Sequence, residues 1–143
     1  MSGQALVTGA GKRLGRAMAL YLAGRGLDVA VHYHSSADEA DAVVAGCRDM
    51  GVDAVALCAD LTRESDMQEL LPRATKGLGG PLSVLVNSAS IFEYDTIETA
   101  TREGWDRHIE SNLRAPFVLS QAFAAQAPHR PAVASGTIRR PTP

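Results

Sequence analysis

The 143-residue chain reads as an α/β domain, a doubly wound parallel sheet that ends after about four strands. Three observations predict this. Short apolar runs alternate with segments of helical period, the pattern of strands joined by crossover helices. The runs are apolar almost throughout, as strands covered on both faces are. A glycine-rich turn lies between the first run and the first helix, where parallel-sheet proteins take up phosphate.

The elements follow in order. Ala5-Leu6-Val7-Thr8 is the first strand. Leu14, Ala17, Met18, Tyr21 and Leu22 share the i, i+3, i+4, i+7 face of a helix, and that face is expected to be buried. Val29 to Tyr33 is the second strand. Ser36-Ala37-Asp38-Glu39 has the spacing of a capping box, in which Ser36 and Glu39 satisfy each other's orphan amides. Ala40, Val43, Val44 and Cys47 carry that helix's apolar face, and Gly51 stands where a left-handed cap belongs. Ala54 to Cys58 is the third strand. Thr62 is the expected cap of the next helix, with Met67, Leu70, Leu71 and Ala74 buried and Pro72 expected to kink or shorten it. Leu82 to Val86 is the fourth strand. A single long helix is expected over 102–126, burying Ile109, Asn112, Leu113, Pro116, Phe117 and Ser120. From Pro128 onward the chain carries four prolines and no period. The expectation is therefore a domain over 1–127 and a disordered or non-native tail over 128–143.

Composition bounds the function. Hydrophobic residues make up 45% and charged residues 21%, with a formal net charge of −2. That is ordinary for a globular domain and gives no electrostatic case for nucleic acid or an anionic membrane. No apolar run approaches the roughly 20 residues of a membrane helix. Cys47 and Cys58 lack metal-ligand spacing and sit among apolar neighbours. They read as buried thiols, so no metal site is expected and a reducing cytoplasm is the expected location.

Four constellations carry chemistry. In the first, Thr8-Gly9-Ala10-Gly11-Lys12-Arg13-Leu14-Gly15, the glycines allow a tight turn and close approach to a pyrophosphate at a helix N-terminus. The plain alternative is a tight turn with a solvated arginine. In the second, His32-Tyr33-His34-Ser35-Ser36 ends strand two without the Asp or Glu that would bind a ribose 2′-hydroxyl. Without that carboxylate the pocket accepts a 2′-phosphate, which argues for NADP; His32 and His34 can also be read as ordinary strand-end histidines. The third pairs Asp60-Leu61 after strand three with Asn87-Ser88-Ala89-Ser90 after strand four. The fourth is Asn112 with Pro116 four residues on. The proline cannot donate to the Asn112 carbonyl, which leaves that carbonyl available to a bound water in a proton relay, or marks a kinked helix.

Together these strings resemble the short-chain dehydrogenase/reductase family over residues 4 to 127, with a Rossmann-like fold. The family's turn has glycine where Arg13 stands. The Lys-Arg-Leu-Gly ending is similar to that of the pteridine reductases, and so is His-Tyr-His-x-Ser, apart from Ser35 where those enzymes carry arginine. The resemblance implies that Arg13 reaches the cofactor phosphate and the pterin edge. It also implies that Asp60 contacts adenine, that Asn87 steadies the central strand and that Ala89 lines the ribose. Ser90 and Phe92 would hold the substrate, although Phe92 can equally be a loop residue tucked against the core. Asn112 matches the family's catalytic asparagine. The implied activity is hydride transfer from NADPH to a pterin-like or carbonyl substrate. The alternatives are a general 3-oxoacyl or sugar carbonyl reductase, a non-catalytic NADP-binding module, or an inactive fragment.

The family's acid is a tyrosine with a lysine four residues on. No tyrosine follows Tyr94 and no lysine follows Lys76, so the pair is absent. Ser135-Gly136-Thr137-Ile138 looks like the opening of a fifth strand that Arg139 to Pro143 cannot continue. The expectation is a chain cut short by a premature stop or frameshift, with strand four an exposed apolar edge, marginal stability and self-association. For a full-length form the resemblance implies a homo-oligomer through the long helix.

Overall fold

In the computed structural model, which describes residues 3–126, four parallel strands run in the order β3-β2-β1-β4. They are β1 (Gly3–Val7), β2 (Leu27–Tyr33), β3 (Ala54–Cys58) and β4 (Val84–Val86). The helices are α1 (Arg13–Gly24), α2 (Ala37–Asp49), α3 (Glu64–Leu78), α4 (Arg102–Ile109) and α5 (Ala115–Gln126), with a π-turn at Glu110–Arg114 between the last two. The expected tail and the expected fifth-strand opening at 135–138 lie outside the described residues.

Side chains that alternate along each strand build two cores, one on each face. Leu6 and Ala30 face α3 and α5, joining Met67, Leu70, Leu71, Ala74 and Leu119. Val7, Val29 and Val31 face α1 and α2, joining Ala19, Ala23, Val43 and Cys47. Strands this apolar have no solvent face to lose, which is why β1 and β2 are buried almost throughout. Register follows: Leu6 pairs with Ala30 on one side and Leu85 on the other.

Several expectations change. In α1 the buried stripe is Gly15, Ala19 and Ala23, while Leu14 and Tyr21 are about two-thirds exposed. The small residues let the helix approach the sheet closely, and the large ones fall on its outer side. Ser36 does stand at the N-cap of α2, but no side-chain capping bond forms, because Glu39 turns to Lys12 instead. Arg63, not Thr62, is the N-cap of α3; Thr62 is held by Asp60. Helix α3 continues six residues past Pro72 to Leu78, so the proline does not end it. Strand four is shorter than expected and begins at Val84. Cys58 is exposed at the end of β3, with its thiol directed to the His34 carbonyl at 3.3 Å. Gly51 takes the expected positive φ of 85°.

The segment 102–126 is not one regular helix. The Ala115 amide donates to the Glu110 carbonyl, an i→i+5 bond, one residue before Pro116, which has no amide to give. The wide turn shifts the phase of α5 relative to α4. Ser111, Ala115 and Leu119 are buried, and Leu113 and Phe117 are exposed. Residues Ala115 to Ala125 are apolar nearly all round, so their period alone does not choose a face.

The α3 stripe is the main support of the core on its side of the sheet. Replacing the fully buried Leu70 with alanine is expected to cost about 2–5 kcal/mol, read as a lower urea midpoint with unchanged slope.

Candidate functional site

Strand β1 has β2 on one side and β4 on the other, so the chain builds outward from β1 through β2 and β3 and then returns to its other side at β4. The crevice this opens at the carboxyl ends of the strands is where such sheets take ligands. The turn after β1 is tied to both neighbours. The Thr8 amide donates to the Val86 carbonyl at 2.9 Å and the Ala10 amide to the His32 carbonyl at 2.9 Å. The buried Thr8 hydroxyl accepts from the amides of Ser88 and Ala89, each at 3.0 Å.

The glycines of the turn are unequal. Gly9 has φ 63°, and a Cβ there would lie 2.8 Å from the Ala89 Cα. A Cβ on Gly15 would run into the Gly9 carbonyl, so the first turn of α1 sits on the backbone of the loop. Gly11 has ordinary space and an ordinary φ; nothing in the protein's own packing requires it.

Arg13 stands at φ 49°, the one non-glycine residue with positive φ among the described residues. A side chain in this left-handed conformation costs about 1–2 kcal/mol. Among the described residues its guanidinium makes no hydrogen bond or ion pair. Lys12 is paired: its Nζ lies 3.1 Å from Glu39 Oε1, both side chains about half-exposed. Glu39's own backbone amide, and then Lys12, hold its carboxyl below the usual range. This pair ties the first turn of α2 to the glycine-rich turn, and no sequence spacing points to it.

His32 is 2% exposed. Its Nδ1 accepts from the Gly9 amide at 3.0 Å. Nε2, at 3.0 Å from the Ala59 carbonyl, therefore carries the proton and donates. The ring is occupied by the protein, not turned outward as a ligand-binding group would be. His34 is exposed, 3.9 Å from Asp60 Oδ2. Burial opposes ionisation of Asp60, but bonds from the Thr62 hydroxyl and amide and the nearby His34 and Arg63 outweigh it and lower its pKa.

A cavity of about 800 Å³ opens here, within the range of small-molecule sites. Gly9, Lys12, Arg13, Leu14 and Gly15 line it from the turn, and His32, His34, Asp60 and Leu61 from the strand ends. Ser88, Ala89 and Ser90 close the other side. Gly11, Tyr33, Ser35, Ser36, Asn87, Phe92 and Asn112 are not brought into its lining. Tyr33 packs with the core beneath α1 and α2, Ser36 lies beside Gly11, and Asn87 donates to the Ser120 hydroxyl at 3.4 Å. Phe92 is 85% exposed, not tucked against the core.

The far wall contains residues the sequence patterns do not single out. Arg107 forks onto the Glu93 carboxylate, holding that carboxyl below its usual range. His108 Nε2 accepts the Glu93 amide at 3.1 Å, which leaves Nδ1 to donate to the Gly104 carbonyl at 2.7 Å. Asn112 clamps the same loop one step earlier. Its Oδ1 accepts the Ile91 amide at 2.8 Å and its Nδ2 donates to the Ile91 carbonyl at 2.9 Å. The π-turn is what turns this side chain toward the loop, and π-turns inside helices are frequent at functional sites.

A parallel sheet with a glycine-rich turn and cations at its switch point is the arrangement in which doubly wound α/β proteins take nucleotides. The short chain dehydrogenase family profile matches residues 4–138, and the chain belongs to that family. A 3-oxoacyl-[acyl-carrier-protein] reductase FabG of Staphylococcus epidermidis is 35% identical over 126 residues, 88% of this chain and 51% of its own. A short chain dehydrogenase of Burkholderia cenocepacia, solved with NADP, superposes with a TM-score of 0.84 at 38% identity, covering 87% of this chain and 50% of that one. FolM Alternative dihydrofolate reductase 1 of Brucella suis, solved with NADP, gives 0.83 at 34%, covering 89% and 52%. The chain spans about half the length of the curated relatives it matches.

The strain at Arg13 has a measurable consequence. Arg13→Gly relieves about 1–2 kcal/mol of backbone strain against about 0.5–1 kcal/mol for glycine's freedom in the unfolded chain. Thermal melting is expected to rise by up to a few degrees. Gly15→Ala is expected to lose about 1–3 kcal/mol in the same assay, and Gly11→Ala to stay within about 0.5 kcal/mol of the parent.

Proposed function

We propose that this chain binds NADP(H) in the crevice above β1, as the nucleotide-binding half of a reductase. The observation that carries this reading is Arg13. Its left-handed backbone is strained, and among the described residues its guanidinium is unpaired beside the cavity. Strain of this kind persists where something else over-determines it, and a forked cation without a protein partner suits phosphate oxygens. A pyrophosphate would lie against the backbone of the turn, whose shape is set at Gly9 and Gly15, where the contacts leave no room for a Cβ. Lys12, with Ser35 and Ser36 at the start of α2, would receive the 2′-phosphate, and Asp60 and Leu61 the adenine. Asn87, Ser88 and Ala89 would flank the ribose.

The bound cofactor supplies the hydride. This chain's own residues bind, orient and exclude water. Arg13 and Ser90 would meet the substrate at the open end, with Phe92 closing on it from the exposed loop. The preferred substrate is a pterin-like ring, because Arg13 replaces the turn's usual glycine and Ser90-Ile91-Phe92 follows β4. A carbonyl substrate, as for a 3-oxoacyl reductase, is the second reading, and a matched relative of that name supports it. Asn112 would keep its place in a proton relay, but the sequence has no tyrosine with a lysine four residues on. The chain by itself is therefore proposed to bind cofactor without turning over substrate. Exposed Trp105, Leu113 and Phe117 support self-association through the α4–α5 segment.

The test is nicotinamide fluorescence with NADPH and NADH. Saturable binding that favours NADPH and weakens at least about tenfold in Arg13→Ala is expected, a loss of about 1.4 kcal/mol. Glu39→Gln should strengthen NADPH binding a few-fold and leave NADH unchanged, because it frees Lys12 for the 2′-phosphate. Equal affinity for both cofactors, or an Arg13→Ala variant that binds like the parent, would overturn the reading.

A further inference from the structure

His32 is the most buried titratable group at the crevice, and the ring is not available to a ligand. Two bonds define its state. Gly9 has an N–H to give and nothing else, so Nδ1 at 3.0 Å must be unprotonated. Nε2 must then carry the hydrogen that meets the Ala59 carbonyl at 3.0 Å. One neutral tautomer is compatible with both partners, and it joins the turn after β1 to the end of β3 through β2. Gly9 is also the residue whose carbonyl seats Gly15 and whose Cα position abuts Ala89. Whatever sets the Gly9 amide therefore sets the turn.

We propose that His32 is the positioning residue of the glycine-rich turn, holding the Gly9 amide through its neutral Nε2–H tautomer so that affinity for the pyrophosphate of a dinucleotide depends on that tautomer. The proposal rests on the NADP(H) reading above. A second proton on the ring would sit on Nδ1 and face the Gly9 N–H, donor against donor. That amide would lose its acceptor in a buried site, a penalty general to unsatisfied donors, and the turn would release.

The surroundings favour the neutral ring. Burial lowers its pKa from the ordinary value of 6.5, the Ala59 bond opposes this, and the charges of His34 and Arg73 add to the lowering. His34 lies two residues on along the same strand, and Arg73 reaches from α3, its guanidinium donating to the Cys58 carbonyl at 2.8 Å. Asp60, after β3, faces His34 at 3.9 Å. Lys12 and Arg13 line the same cavity from the turn. The unfolded chain takes up this proton below about 6.5 while the fold resists it to lower pH, so stability and turn geometry are held at neutral pH and lost progressively on acidification.

Two variants separate the two bonds. His32→Asn keeps an acceptor near the Nδ1 position and loses the reach to Ala59. His32→Gln reaches toward Ala59 and leaves the Gly9 amide without an acceptor. NADP⁺ binding is measured by calorimetry between about pH 7.5 and pH 5, the range in which histidine titrates. His32→Asn is expected to bind within a few-fold of the parent at neutral pH, and His32→Gln about tenfold more weakly, a loss within the range for an unsatisfied buried donor. The parent should lose affinity more steeply with acid than His32→Asn; the 2′-phosphate's own protonation is common to both and cancels in the comparison. A His32→Gln variant that binds like the parent, or pH profiles that superimpose, would overturn the proposal.

A ligand-free readout keeps it falsifiable where a variant fails to fold. Nitrogen NMR of the ring in the parent chain should give an unprotonated Nδ1 and a protonated Nε2. The opposite tautomer, or a ring charged at neutral pH, would sink it. Failure of the parent to bind NADP⁺ at all would count against the cofactor reading, and the ring spectrum would still decide this one.

Discussion

The first turn of α1 rests on the backbone of the loop that precedes it. Gly15 lies against the Gly9 carbonyl with no space for a side chain between them, and this contact determines much of what surrounds it. It aims the open end of the helix at the crevice, and helix amides without partners favour an anion there. Gly9 itself takes a left-handed turn against Ala89, just past the point where β1 and β4 pair at Val7 and Val86. The contact also leaves the chain to reach α1 through Arg13 in a conformation that glycine adopts freely and arginine does not. The neighbouring hydrogen bonds keep the loop in this shape. Thr8 holds the Ser88 and Ala89 amides, and His32 holds the amide of Gly9.

The crevice has two walls of different make. One is strand ends and glycine backbone, rigid because both cores lie directly beneath it. The other is the loop after β4, which has no strand or helix of its own over residues 87–95 and is held from α4 and the π-turn. Asn112 takes both backbone groups of Ile91, His108 takes the Glu93 amide, and Arg107 forks onto the Glu93 carboxylate. A loop pinned by side chains of one neighbouring segment moves with that segment.

The four strands, the three helices between them and the turn are legible along the sequence. So is the α3 stripe of Met67, Leu70, Leu71 and Ala74, because polar residues surround it and the period is unambiguous. The buried face of α1 is not. Bulky Leu14 and Tyr21 outweigh Gly15, Ala19 and Ala23 in any hydrophobic pattern, yet close approach to a sheet selects the small residues. The face of 115–126 is illegible for the opposite reason, since nearly every position there is apolar. Caps fail where a side chain has a better partner elsewhere, as Glu39 does in Lys12 and Thr62 in Asp60.

Sequence alone determined the parallel α/β order, the glycine turn and the cations beside it, because these rest on local period and on residues that few backbones tolerate. Tertiary structure decided which of those groups face the crevice. It turned His32 inward between Gly9 and Ala59 and brought Glu39 to Lys12 across 27 positions of sequence. It also aimed Asn112 at a loop 21 residues away. Such pairings depend on how one strand end or helix turn lies against another, and that geometry is written in no single segment.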